Sequence, residues 1–154
     1  YGGGGNDVVE GGAGDDRIFG EAGYDDILGD AGADVIRAGA NDDRVFGGEG
    51  ADEIYGDEGK DFIRGGAGAD QIRGGAGVDE IYGEQDNDQI FGESDPDRIY
   101  GGGGADHQND YEREHRMQQQ GRAQSRRSHH VISPLAFEVG RLHLGPGEQL
   151  GSGP

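Results

Sequence analysis

Residues 47–82 read GGEGADEIY, GDEGKDFIR, GGAGADQIR and GGAGVDEIY. Each nine-residue segment has Gly first, Gly fourth, Asp sixth and Ile eighth, and self-similarity at a fixed short period marks a repeat architecture rather than an ordinary globular core. The period continues outward in both directions. Before it, residues 2–46 read GGGGNDVVE, GGAGDDRIF, GEAGYDDIL, GDAGADVIR and AGANDDRVF; after it, residues 83–109 read GEQDNDQIF, GESDPDRIY and GGGGADHQN. Twelve blocks therefore run without insertion from residue 2 to residue 109.

Two positions hold the pattern together. The sixth is Asp in every block: Asp7, Asp16, Asp25, Asp34, Asp43, Asp52, Asp61, Asp70, Asp79, Asp88, Asp97 and Asp106. The eighth is Ile or Val from Val9 to Ile99 and fails only at Gln108. The first six residues of a block are turn-formers and the last three include a β-branched residue, so each block predicts a tight turn feeding a very short strand. Side chains alternate faces along a strand, so the Ile points inward and its two neighbours outward. Two blocks make one coil, and stacked coils align Ile on Ile. The fold class is all-β, a parallel β-roll (a β-helix or solenoid) of two short-strand sheets, with six coils spanning roughly 29 Å at about 4.8 Å per stacked strand.

The outward residues fit that stacking. If each block lies beside the block two further on, the ninth positions form the columns Phe19, Arg37, Tyr55, Arg73, Phe91 and Leu28, Phe46, Arg64, Tyr82, Tyr100. Rings and guanidinium groups then alternate in contact. At the seventh position Asp26 faces Arg44 and Glu80 faces Arg98. The fourth-position glycine is replaced only by Asn41, Asp86 and Asp95, the residue types that tolerate a left-handed backbone, so this position is expected to need positive φ.

Composition says what the repeats are for. The chain has 154 residues, 35 of them Gly, no Cys, no Trp and 31% hydrophobic residues, which is little apolar material for a self-sufficient core. Its net charge is -19, so the compact state repels itself until cations neutralise it. The same acidity argues against nucleic acid and anionic membranes, which select clustered Lys and Arg. No stretch approaches the ~20 apolar residues of a transmembrane helix. Without Cys there is neither a disulfide nor a thiolate metal site. The first residues show neither initiator Met nor signal-peptide character, so the sequence reads as a fragment of a longer chain.

Calcium suits what remains. It takes six to eight hard oxygen ligands, carboxylates and backbone carbonyls among them. Gly-rich turns supply carbonyls that no ladder uses, and the Asp ending each turn adds a carboxylate. An ion between stacked turns would gather one oxygen from each of two Asp residues, so that each interior Asp bridges two ions. Six turns on each side leave five gaps, giving up to about ten ions. Residues 1–106 hold 27 acidic and 7 basic side chains, net -20, which ten divalent ions would match.

The pattern G-G-x-G-x-D-x-(large apolar)-x, in twelve tandem copies over about 70% of the chain, resembles the repeats-in-toxin, or hemolysin-type, calcium-binding repeat. The resemblance implies a calcium-loaded β-roll whose ligands are the sixth-position Asp residues with carbonyls of the turn glycines, such as Gly11, Gly12, Gly14, Gly47, Gly48, Gly50, Gly65, Gly66, Gly68, Gly74, Gly75 and Gly77. It also implies an extracellular protein leaving bacteria by a type I route, unfolded at low calcium and folded outside. The late blocks depart from the pattern, with Asp86 and Asp95 replacing the fourth glycine and Pro96 preceding Asp97.

Other readings are weaker. The DND and DPD clusters at 86–88 and 95–97 lack an EF-hand's glycine and terminal Glu in register. His107, His115, His129, His130 and His143 show no zinc spacing, and no catalytic constellation stands out. The repeats are thus read as a non-enzymatic calcium module for folding, secretion and stability. The alternatives are the C-terminal part of an extracellular protease, lipase, polysaccharide epimerase or pore-forming toxin, or a surface adhesin. The ring and Arg columns read as outer-face packing or as a stripe for polysaccharide. From about residue 110 to 154 the composition turns to Gln, Arg, Ser and His, and this flank is expected to carry a short charged helix over 110–120 and a cap over 131–144. A frameshifted reading of the repetitive gene is the other account of it.

Overall fold

The structure, a computed structural model, describes residues 1–110. The C-terminal flank from residue 111, with its expected helix and cap, lies outside the described residues. The described residues are all β: β1 (Gly3–Gly4), β2 (Val8–Ala13), β3 (Arg17–Ala22), β4 (Asp26–Ala31), β5 (Val35–Ala40), β6 (Arg44–Glu49), β7 (Glu53–Glu58), β8 (Phe62–Ala67), β9 (Gln71–Ala76), β10 (Glu80–Gln85), β11 (Gln89–Ser94), β12 (Arg98–Gly103) and β13 (His107–Asn109). Successive strands alternate between two parallel sheets, one ordered β1-β3-β5-β7-β9-β11-β13 and the other β12-β10-β8-β6-β4-β2. This is the expected β-roll of about six coils. No helix among the described residues is long and apolar enough to cross a membrane.

The strands are longer than the sequence predicts. From β2 to β12 they run six residues, from the seventh position of one block to the third of the next, and the register pairs positions seven to nine and two to three while passing over position one. The glycines that read as turn-formers thus extend the strand, and the turn shrinks to positions four to six. Alternation then makes three positions inward rather than one: the sixth (Asp), the eighth (Ile) and the first (Gly).

Parallel register stacks like on like. Ile27↔Val45↔Ile63↔Ile81 lie in one sheet and Ile36↔Ile54↔Ile72↔Ile90 in the other. The residues from Ile18 to Ile90 in these columns are 0–3% exposed, with Val9 and Ile99 packed at the ends. Truncating one of them to Ala costs ~2–5 kcal/mol. Gln108 takes the last inward place, opposite Ile90. A core one residue wide cannot close the two turns, and there the Asp residues stand.

Candidate metal centre

The sixth-position residues form two columns, one along each turn edge. Asp25, Asp34, Asp43, Asp52, Asp61, Asp70, Asp79 and Asp88 are buried, while Asp7, Asp16, Asp97 and Asp106 at the two ends are half-buried. The two oxygens of each carboxylate have different surroundings. Oδ1 accepts the backbone N–H of the Asp one coil earlier, as in Asp7 to Asp25 at 2.8 Å, Asp34 to Asp52 at 2.9 Å and Asp88 to Asp106 at 3.2 Å. Oδ2 is buried without a hydrogen-bond partner in Asp7, Asp25, Asp34, Asp43, Asp52, Asp61, Asp70, Asp79, Asp88 and Asp97. An unsatisfied buried group costs ~1–3 kcal/mol, more when charged. Ten of them rival the ~5–15 kcal/mol by which a folded domain is stable.

The two oxygens are thus not equivalent in the roll: each interior Asp ties two coils together, its Oδ1 accepting an amide of the preceding coil while its Oδ2 has no hydrogen-bond partner. That free oxygen has company. A methyl group added at Gly47 would lie 2.5 Å from Asp52 Oδ2 and 2.5 Å from the carbonyl oxygen of Gly65 in the next coil, so two oxygens converge on the space that the missing side chain leaves. Gly29, Gly56, Gly65 and Gly74 stand in the same relation to Asp34, Asp61, Asp70 and Asp79. At Ala38 alone the first position carries a real methyl, fully buried, in the block of Asp43.

Burial raises the carboxyl pKa values. Asp61 moves from 3.8 to about 8, Asp70 to about 7, and Asp43 and Asp97 to about 6, while Asp52, Asp79 and Asp88 shift the same way. Lost hydration is the largest cause. The amide donated by the preceding coil opposes it, and neighbouring carboxylates add to it. A cation beside Oδ2 would reverse that balance.

The other predicted residues fall into two classes. Gly11, Gly47, Gly65 and Gly74 are first-position residues beside an Asp. Gly12, Gly48, Gly66 and Gly75 at the second position, and Gly14, Gly50, Gly68 and Gly77 at the fourth, have φ between 97° and 136°. The fourth-position substitutes Asn41, Asp86 and Asp95 are left-handed as expected, at 85°, 73° and 72°. The second position is left-handed too, which the sequence concealed because Glu21, Asp30, Asp57, Glu84 and Glu93 occupy it in five blocks. Also missed were the fifth-position residues Asn6, Asp15, Asp42 and Asn87, whose Oδ1 atoms accept backbone N–H groups eighteen residues on.

Among the described residues no three acidic or histidine side chains converge on one point. Such a cluster would suit a transition metal. A carboxylate oxygen beside the carbonyl of a first-position glycine in the next coil is a pair of hard oxygens, the ligand type that calcium takes.

Fold and site together define a nonapeptide-repeat β-roll, a solenoid whose turns are lined by inward carboxylates. Four copies of the RTX calcium-binding nonapeptide repeat match residues 1–27, 25–54, 55–90 and 82–107, and the chain belongs to that family. No curated protein and no solved structure matches it. Membership in the family implies calcium binding.

Proposed function

We propose that residues 2–109 form a module in which calcium folds and stabilises a secreted protein, its ions held by the sixth-position Asp Oδ2 atoms and by carbonyls of the Gly-rich turns. The observation that carries this reading is the column of buried Oδ2 atoms without partners. A divalent ion there would supply the charge and ligation that the chain withholds. Ten gaps between stacked turns, with a net charge of -20 over residues 1–106, support a capacity of about ten ions. The chain's own residues do the rest: glycines keep the space open, Ile columns hold the register, and Oδ1 locks each coil to the one before it.

Binding that completes its own site is folding free energy, so the ion-free chain is unfolded and the loaded chain folded. This supports export of an unfolded chain from a low-calcium cytosol by a type I route and folding outside the cell. The module itself is non-catalytic, and an activity such as that of a protease, lipase, epimerase, toxin or adhesin resides in other segments of a parent protein. Residues 110–154 form a separate flank. Isothermal calorimetry of the full chain tests the assignment: calcium should bind with a stoichiometry near ten while magnesium at equal concentration gives no heat, and a stoichiometry of one or two would overturn the columnar sites.

A further inference from the structure

On the outer face of the sheet β2-β4-β6-β8-β10-β12 two tyrosines lie against each other. Register sets Tyr82 of β10 opposite Tyr100 of β12, both at the ninth position of their blocks. Their rings are stacked, 4.8 Å between centroids and 12° from parallel. Register would also place Arg64 beside Tyr82, but Arg64 turns to Glu84 and Phe62 packs on Tyr82 instead, at 5.7 Å. The Tyr82 hydroxyl donates to Glu80 Oε1 at 2.6 Å, and Tyr100 is 49% exposed. Among the described residues no other two tyrosine rings meet. Tyr1 stacks on Phe19, Tyr55 has Arg37 and Arg73 over its ring, and Tyr24 stands exposed in a turn.

The pair sits in the coil that the rest of the roll holds least. Among the described residues β12 is the last strand of its sheet, Ile99 beneath it is only partly buried, and the next inward place is taken by Gln108. Strands with few buried contacts open first. We propose that Tyr82 and Tyr100 are a site of oxidative cross-linking, where a one-electron oxidant, of the kind a haem peroxidase makes from hydrogen peroxide, joins the rings as dityrosine and staples β12 to β10. Each phenol gives one electron to the oxidant and loses one proton, that of Tyr82 passing to the Glu80 carboxylate. The two phenoxyl radicals couple through a ring carbon ortho to each oxygen. One C–C bond forms, the C–H bonds at those carbons break, and their hydrogens return to the two oxygens. The chain is two hydrogens lighter, and the two electrons and two protons reduce one peroxide to two waters. At the sheet edge and half exposed, the Tyr100 ring can turn to bring its ortho carbon to that of Tyr82, and stacking in register makes this coupling faster than encounters between chains. An oxidised Tyr55, held between two guanidinium groups, meets no second phenol. The link depends on the folded roll, and so on the calcium-driven folding proposed above. Once made, it closes a loop in the unfolded chain and favours the roll.

Photo-excited ruthenium tris-bipyridyl with persulfate, a one-electron oxidant that needs no calcium, tests the pair in the full chain at high dilution, with calcium and with chelator. The calcium-bound chain should give a monomer two hydrogens lighter, with dityrosine fluorescence. Trypsin should release residues 74–98 joined to residues 99–113 through Tyr82 and Tyr100. Tyr82→Phe and Tyr100→Phe keep both rings and should each abolish that link, whereas Tyr55→Phe should leave its yield unchanged. Far-UV circular dichroism reports folding in each condition. Where chelator leaves the chain disordered, the yield should fall about tenfold or more, as the rings lose their proximity. Where the chelated chain is already β-rich the link should form equally, and the calcium reading fails without the pair failing. The purified cross-linked monomer should fold at a lower calcium concentration than the untreated chain. Absence of the link between Tyr82 and Tyr100 in the calcium-bound chain, a link to another tyrosine in its place, or an unchanged calcium midpoint overturns the proposal.

Discussion

The backbone N–H of Asp52 donates to Oδ1 of Asp70, eighteen residues later, at 2.9 Å, while Asp52 Oδ1 in turn accepts the N–H of Asp34 at 2.9 Å. Asp52 is therefore a rung between three coils as well as a source of a free Oδ2. Asp7 donates to Asp25 but has no earlier coil among the described residues to hold. Asp52→Ala should accordingly cost more than Asp7→Ala, by about 1.5–3 kcal/mol for the charged hydrogen bond. The difference is read from calcium midpoints of folding. Equal midpoints would contradict the interlocked column.

Asp52→Asn separates the two oxygens. The amide keeps an acceptor for Asp34 but replaces the unpartnered, charged Oδ2 with a neutral group. Relief of the buried charge should stabilise the ion-free roll by ~1–3 kcal/mol while lowering calcium affinity. Opposite movements of ion-free β content and calcium midpoint are expected in circular dichroism.

Gly47→Ala places a methyl where Asp52 Oδ2 and the Gly65 carbonyl converge, both 2.5 Å away. Real Cβ contacts are longer, so a strand or the carboxylate has to move, and overpacking of this kind costs ~1–3 kcal/mol. The calcium midpoint should rise. Ala38→Gly is the reverse experiment: removing the buried first-position methyl in the block of Asp43 should lower the midpoint, against a backbone entropy cost of ~0.5–1 kcal/mol.

Acid should fold the ion-free chain. Asp61 has a folded pKa of about 8, Asp70 of about 7 and Asp43 of about 6, against 3.8 when unfolded. The folded state binds more protons between those values. Its stability is therefore fully present below about pH 4 and is lost as the pH rises toward 8. Without calcium, β content should grow on acidification, followed by far-UV circular dichroism.

Most of this fold is legible in the sequence because the repeat makes each choice twelve times over. The Asp column, the Ile columns and the coil pairing all follow from the nine-residue period, as does positive φ at Asn41, Asp86 and Asp95. Positive φ at the second position is hidden, since Glu21 or Glu84 gives no sign of a left-handed backbone. Strand length is obscured by glycines at positions one and two, which look like turn residues yet extend the ladder. Register also says nothing of rotamers. On one sheet the expected alternation holds, with Arg37 4.8 Å from the Tyr55 ring; on the other Phe62 takes the place of Arg64. Likewise Arg44 meets Asp26 at 3.2 Å, but Glu80, opposite Arg98, accepts the Tyr82 hydroxyl at 2.6 Å.

Far-UV circular dichroism of residues 1–154 during a calcium titration, with magnesium as control, tests the central claim most directly. A disordered spectrum turning cooperatively to β, with calcium only, is the predicted result. A chain already β-rich in chelator at pH 7.5, or one that calcium leaves disordered, would contradict the coupling of these buried carboxylates to folding.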